Sequence, residues 1–415
     1  MSQKRRKSQN SRLANRILVM LAFFSISAGL WANFRQLWLE ENGYLATEIS
    51  TLTSIATFLS VGGILLVGWK LKPSSLKTFM TGILAFRLAN SAVQLGLNGT
   101  DQTFLINLCT IIEIFTSYII VASVYPLLTT IMKSNKIYSK RKLVEYLFRD
   151  VGVLIGGLMI GQSMTGLGVD YNVCLAVSMV FLALAMIVMF RIKVKPTAAS
   201  SKVQQSAFKY VFKSRVQTFY MLYAFLSSTS FATALGLKML IMTNLLEFSA
   251  STATNYLLIA GLVGDILGMI ALRYFTPKND YITMTLKFGI RFGAYVIAVL
   301  ADNPFVFLLA FTWAMLSETA YEDVSDGCYI NLVDNRHQLG YNTLKHVMNY
   351  LGEATGVLFC GWMYNFGLGA ILSCAAFIMV FQMGIAYYLI HLRHRRRRVR
   401  HSASRLRYDE RLCED

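Results

Sequence analysis

Apolar residues run through this chain in blocks of about twenty, the length a helix needs to cross the hydrocarbon core of a bilayer. About twelve blocks can be marked, at residues 16–39, 47–69, 76–97, 103–132, 144–165, 171–191, 216–243, 251–275, 281–300, 304–332, 341–363 and 368–391. The polar connections between them alternate in character. Those at Glu40–Glu48, Leu97–Thr103, Thr165–Tyr171, Leu245–Ser251, Ala301–Pro304 and Asn365–Gly369 contain no Lys or Arg. The Met1–Arg16 segment, the Lys70–Lys77 and Lys133–Lys142 loops, the Arg191–Arg215 linker and the segment after His391 carry nearly all the basic side chains. Lys and Arg concentrate on the cytoplasmic side of membrane proteins. The pattern therefore predicts a multi-pass protein of the plasma or inner membrane with both termini in the cytoplasm, which excludes most soluble enzymes. Arg16 followed by the apolar Ile17–Trp31 is reminiscent of a signal peptide, but the run is too long, no small-residue cleavage site follows it, and eleven more blocks come after it. It is expected to be a first span.

The linker splits the blocks six to six, and the two halves repeat. At a shift of 204 residues Pro73 falls on Pro277, Met80–Thr81 on Met284–Thr285, Arg87 on Arg291 and Tyr125 on Tyr329. The same shift lays Gly152-Val153-Leu154 on Gly356-Val357-Leu358, Gly157 on Gly361 and Met159 on Met363. Six is even, so both halves have the same orientation and are related by an axis along the membrane normal, an arrangement found in alternating-access transporters. The expected fold class is all-α integral membrane, with about twelve transmembrane helices in two parallel-repeat six-helix bundles. The domains are expected at 1–192 for the first bundle, 193–215 for a cytoplasmic linker, 216–392 for the second bundle and 393–415 for a basic cytoplasmic tail.

At the level of twelve spans, a basic central linker and parallel halves, the whole chain resembles the major facilitator superfamily. Gly63 to Lys70 keeps the Gly and Lys of that family's loop motif between the second and third spans and lacks its acidic residue. The fifth block, with Gly152, Gly156, Gly157 and Gly161, is similar to the Gly-rich fifth span of the family's proton antiporters, without their Pro. The resemblance implies a secondary transporter that works as a monomer, with the first, fourth, seventh and tenth spans lining a central cavity. It also implies that the fifth and eleventh spans cross between the halves, where small residues allow close approach.

Charge and composition then bear on chemistry. A net charge of +18 would suit nucleic-acid binding, but 55% hydrophobic residues and a mean hydropathy of +0.48 make the charge topological. The basic run His391–Arg400 adjoins an apolar block and is expected to touch anionic lipid headgroups. Six cysteines form no CxxC or metal-like spacing and read as small packing residues. There is no Walker loop, dinucleotide Gly fingerprint or HExxH site, so no enzyme, no cofactor and no metal are expected. The expected partners are the bilayer, a small-molecule substrate, and protons or another coupling ion.

An ionised side chain at mid-membrane costs about 2.5–3.5 kcal/mol on insertion scales, so each one calls for a partner or a wet cavity. Glu318, Glu322 and Asp326 in the tenth block recur every four residues and share one helical stripe. They are expected to face a cavity, with Glu113 of the fourth block, as sites of proton coupling or cation binding. The alternative for Glu113 is a salt bridge to Arg35, and for the acids of the tenth block structural ion pairs. Substrate-orienting candidates are Asn33, Arg35 and Gln36 in the first block, Ser117 in the fourth, Ser228 in the seventh and Tyr321 in the tenth. Arg87 and Arg291, on spans that the resemblance makes peripheral, are expected in structural charge pairs, with Glu353 and Asp265 as candidate partners for Arg291. Arg149–Asp150 is expected as an inner-end gate of the fifth span, and Lys238 as a side chain that snorkels to the headgroups. The expected function is proton-coupled movement of a small molecule by alternating access, with a preference for efflux of an amphiphilic or cationic compound. The rivals are uptake of a neutral or anionic solute through Arg35 or Lys238, and a non-transporting receptor or assembly protein on the same scaffold.

Overall fold

The computed structural model describes residues 3–70, 75–97, 99–131, 135–160, 171–192, 215–274, 280–301, 303–314 and 338–412. Every one of the twelve apolar blocks has a helix in this set, and among the described residues there is no strand. Six helical stretches are long and apolar enough to cross a membrane: Asn10–Glu41, Ala46–Val67, Thr103–Val124, Tyr171–Arg191, Arg215–Leu245 and Leu368–His391. Helices fit this environment because each satisfies its own backbone groups, which hydrocarbon cannot.

Several boundaries differ from those the hydropathy implies. The fifth span begins at Asn135, so most of the expected Lys133–Lys142 loop is helical. Charged residues close to a membrane surface can prolong a helix whose apolar part ends earlier, and hydropathy alone misses that extension. The helix of the twelfth span runs from Leu368 to Leu412, carrying the basic segment as a continuation rather than a separate tail. The helix of the first span likewise starts within the basic amino-terminal segment, at Gln3. The linker at 193–214 lies outside the described residues.

The repeat in the sequence is a repeat in space. The first span is interrupted at Asn33 and the seventh at Gly236–Leu237, and a shift of 204 carries residue 33 onto 237. The interruption at Asn33 is slight, with helical dihedrals, whereas Leu237 leaves the helical region at φ −114°, ψ 37°. After it the chain makes one turn over Lys238–Leu240 and a π-turn over Ile241–Leu245. A broken helix releases carbonyls that must find donors. Here Gln36 Nε2 donates to the Gly236 carbonyl at 2.8 Å and Tyr364 Oη to the Leu240 carbonyl at 3.1 Å.

Within each half the first helix packs on the fifth and sixth in the same way, span 1 on spans 5 and 6, span 7 on spans 11 and 12. Glycine makes the approach possible. A Cβ on Gly152 would strike the Ile26 carbonyl, and on Gly356 the Thr229 carbonyl. Gly29 and Gly352 meet the Arg149 and Phe225 carbonyls in the same way. Of the glycines on the fifth and eleventh spans, Gly152, Gly156, Gly352 and Gly356 therefore pack inside their own bundles, Gly156 against Phe34. Gly157 and Gly361 do face the opposite half, the first at Thr254 and the second at Ser50. These contacts are one contact repeated, since the shift of 204 takes Gly157 to Gly361 and Ser50 to Thr254.

The axis itself is marked by Glu40 and Asn244, also 204 apart, whose side chains meet at 2.5 Å. With Gln36 on Gly236, Ser50 on Gly361 and Thr254 on Gly157, they draw the halves together at the end whose loops lack Lys and Arg.

Candidate functional site

Just below this joined end the helices present charge. Arg35 sits two residues past the interruption of the first span, where the chain turns it toward the fourth. Its Nη1 donates to both oxygens of Glu113, at 3.0 and 2.9 Å. From the third span Arg87 Nη2 reaches Glu113 Oε1 at 3.2 Å, while its Nη1 donates to the Glu113 carbonyl and the Ser117 hydroxyl and lies 3.4 Å from Thr116 Oγ1. The Arg87 guanidinium also lies over the Phe24 ring, 5.6 Å from its centroid. Arg87 and Glu113 are each 2% exposed and Arg35 is 11% exposed. One carboxylate thus serves two guanidinium groups, and the cluster keeps one positive charge.

Glu113 accordingly is not a lone protonatable carboxyl. The salt bridge to Arg35 weighed in the sequence is present, and Arg87 joins it from a helix that periodicity cannot relate to the fourth. Ser117, expected to orient a substrate, is engaged with Arg87 and donates to the Glu113 carbonyl at 2.8 Å. Gln36, expected in the same role, is spent on the Gly236 carbonyl across the halves. Asn33 is buried at the helix interruption. Ser228 is half-buried, its Cβ opposite Gly352 of the eleventh span.

A second group joins the halves. Tyr118 Oη donates to Glu353 Oε1 at 2.5 Å, from the fourth span to the eleventh. The Tyr118 ring meets Tyr350 edge-on at 4.5 Å, and His346 stacks on Tyr350 at 6.2 Å. Glu353, expected as a partner of Arg291, is instead bonded to Tyr118; the ninth span packs on the twelfth rather than the eleventh. Arg149 acts electrostatically on both Glu353 and Lys238, and Asp150 on Lys238. Arg149 and Asp150 lie midway along the Asn135–Ile160 helix, with the Arg149 carbonyl against Gly29 of the first span. Lys238, just past the break of the seventh span, is half-buried with Arg149 and Asp150 as its charged neighbours.

Arg291 repeats Arg87: it is fully buried, with its guanidinium 5.2 Å from the centroid of Phe231 on the seventh span. Glu318, Tyr321, Glu322 and Asp326 lie outside the described residues, as does the side chain of Asp265. Among the described residues no cluster of His, Cys, Asp and Glu has the makings of a metal site, and Cys109, Cys174, Cys360 and Cys374 form no disulfide. Sequence reasoning missed Tyr118 and the role of Glu353. The signal available was a Tyr five residues after Glu113, in the span expected to line the cavity.

No protein family and no characterised protein is matched by the sequence. In structure the chain is similar to a bacterial homolog of the human lysosomal transporter Spinster in an inward-facing, unoccupied conformation, with a TM-score of 0.68 and 13% identity over 92% of this chain and 97% of that one. It is similar to the human organic anion transporter MFSD10 (TETRAN), with a TM-score of 0.66 and 12% identity over 91% and 99%. For the E. coli fucose:proton symporter FucP the TM-score is 0.61, with 12% identity over 92% and 98%. These are transporters of the major facilitator type, and the chain has the major facilitator fold. With its apolar helices, this makes it a multi-pass membrane protein.

Proposed function

We propose that the protein is a secondary active transporter that moves a small molecule between two states open at opposite ends, with its site between the halves. The observation that carries this reading is the placement of Arg35, Arg149, Lys238 and Glu353 on both sides of the pseudo-two-fold axis. Charges within the spans are costly unless a partner or a wet cavity compensates them. The joined end, from Glu40–Asn244 to Ser50–Gly361, is the one without Lys and Arg. If basic loops are cytoplasmic, the site opens toward the cytoplasm in this state, both termini are cytoplasmic, and the protein acts as a monomer.

Proton coupling, in this reading, rests on Glu353 rather than Glu113. Glu113 is neutralised by two guanidinium groups, whereas Glu353 has a phenol as its hydrogen-bond partner and spans the halves. Separation of the fourth and eleventh spans must break that bond and admit water to the carboxyl. Proton uptake removes a charge that opposes the dry, joined state, so the proton has a different affinity for the two states, as coupling requires. The acids of the tenth span remain candidates for the same path. A preference for cationic substrates loses its main support, because it relied on Glu113. The test is flux in proteoliposomes with and without a pH gradient, for the wild type and Glu353→Gln. Gradient-driven flux in the wild type that no longer follows pH in Glu353→Gln supports the reading. Absence of flux for every solute class would favour a non-transporting scaffold.

A further inference from the structure

Resting on that reading, we propose that the site recognises an anionic group, a carboxylate or phosphate, on the unused edge of Arg35. Arg35 commits only Nη1 to Glu113. Its Nε is buried with no acceptor, and Nη2 donates to no described residue. A guanidinium presents five donors in a fixed fork that fits carboxylate and phosphate oxygens two at a time. A buried donor left without an acceptor is costly, and a ligand oxyanion supplies one.

The surrounding charge has the same sign. Among the residues whose side chains are described in and around this cluster, Arg35, Arg87, Arg149, Lys238 and Arg291 stand against Glu113, Asp150 and Glu353, an excess of two positive charges. A proton on Glu353 raises that excess, so anion and proton favour each other's binding and the pair would move in the same direction. The repeat separates structural from functional arginine. Arg87 has its counterpart in Arg291, equally buried and equally set over a phenylalanine ring. Arg35 maps onto Met239, so the second half has no copy of it. A side chain needed only to hold the bundle together would be expected in both halves, and one needed for a single asymmetric ligand in one.

The experiment uses the full chain, purified and placed in nanodiscs of neutral lipid for thermal-shift binding and in liposomes for solute-evoked currents. The probes are benzoate, citrate and glucose 6-phosphate, with glucose and tetraethylammonium for the other charge classes. Arg35→Gln leaves Glu113 its bond to Arg87, so the bundle keeps its buried pair. At least one anion is expected to bind the wild type, with affinity falling about tenfold to a hundredfold in Arg35→Gln, the loss of hydrogen bonds to a charged group. Arg35→Lys, which retains charge without the fork, is expected to fall between them. Anion affinity unchanged in a folded Arg35→Gln variant, or in Arg35→Lys should the first not fold, overturns the proposal. So does a thermal shift with none of the anions. Currents evoked only by glucose or tetraethylammonium overturn it while leaving the transporter reading intact. Anion binding without any current sustains the Arg35 site and counts against transport. Displacement of the anion by phosphatidylglycerol supports the site and assigns a lipid headgroup as its source.

Discussion

Gly361 offers a wedge with which to force the joined end apart. A Cβ built on it overlaps the Ser50 hydroxyl, and the pair lies between the second and eleventh spans, one from each half. Inserting a methyl group into a filled contact costs about 1–3 kcal/mol. That cost falls only on the state in which the spans touch, so Gly361→Ala should shift the balance toward the separated state by roughly fivefold to 150-fold. Gly157→Ala should do less, because its Cβ meets a Thr254 methyl at 2.9 Å that can rotate aside. The readout is the labelling rate of a cysteine at position 54 by a membrane-impermeant maleimide added from the side of the Lys- and Arg-free loops. Ser54 is buried and donates to the Ala354 carbonyl at 2.8 Å, so a thiol there is shielded while the spans touch. Labelling should accelerate in the order Gly361→Ala, then Gly157→Ala, and be unaltered in Gly62→Ala or Gly82→Ala, where a Cβ enters open space. Ser50→Gly added to Gly361→Ala should restore the slow rate. An unchanged rate in a folded Gly361→Ala variant, or equal acceleration by the control glycines, would refute the reasoning.

Glu113→Gln leaves two guanidinium groups buried together and should destabilise the protein by about 3–5 kcal/mol, read as a fall in thermal midpoint in detergent. A midpoint like that of the wild type would mean the cluster is hydrated. Arg35→Gln should cost far less in the same assay because Arg87 still meets the carboxylate; a loss as large as that of Glu113→Gln would contradict the division of labour between the two arginines. Tyr118→Phe preserves the ring against Tyr350 but removes a bond to a carboxyl worth about 1.5–3 kcal/mol when charged. The pH dependence of flux should move in Tyr118→Phe and vanish in Glu353→Gln; a profile unmoved in both would dissociate Glu353 from coupling.

The spans, their grouping six and six and the repeat at 204 residues are legible in the sequence because bilayer thickness and gene duplication both leave periodic marks. The same shift that aligns Arg87 with Arg291 also aligns contacts that no periodicity announces, Ser50–Gly361 with Thr254–Gly157. Less legible were the helix interruptions, since Asn33 and Leu237 sit in strongly apolar surroundings and the donors that tolerate the break, Gln36 and Tyr364, lie far away in sequence. The candidate site was drawn from the spans that the resemblance sets around the cavity, from the acidic stripe of the tenth and from the depth of charged residues along each span. Depth brought Arg35 toward Glu113, but helix rotation decides the rest, and it placed Arg87 on Glu113 and turned Glu353 to Tyr118. The start of the fifth helix was missed because Asn135–Val144 is polar enough to resemble a loop, although it continues the helix that carries Arg149 and Asp150.

Whether the halves move about the central charges is tested most directly by paired spin-label distances at both ends of one molecule in liposomes. One pair replaces Asp101 and Phe366, exposed at the end without Lys and Arg, and the other replaces Thr78 and His391, exposed at the basic end. On changing pH across the titration of flux, the account predicts that one distance lengthens as the other shortens, and that Glu353→Gln abolishes the response. Two distances that stay fixed at every pH, or that lengthen and shorten together, would contradict it.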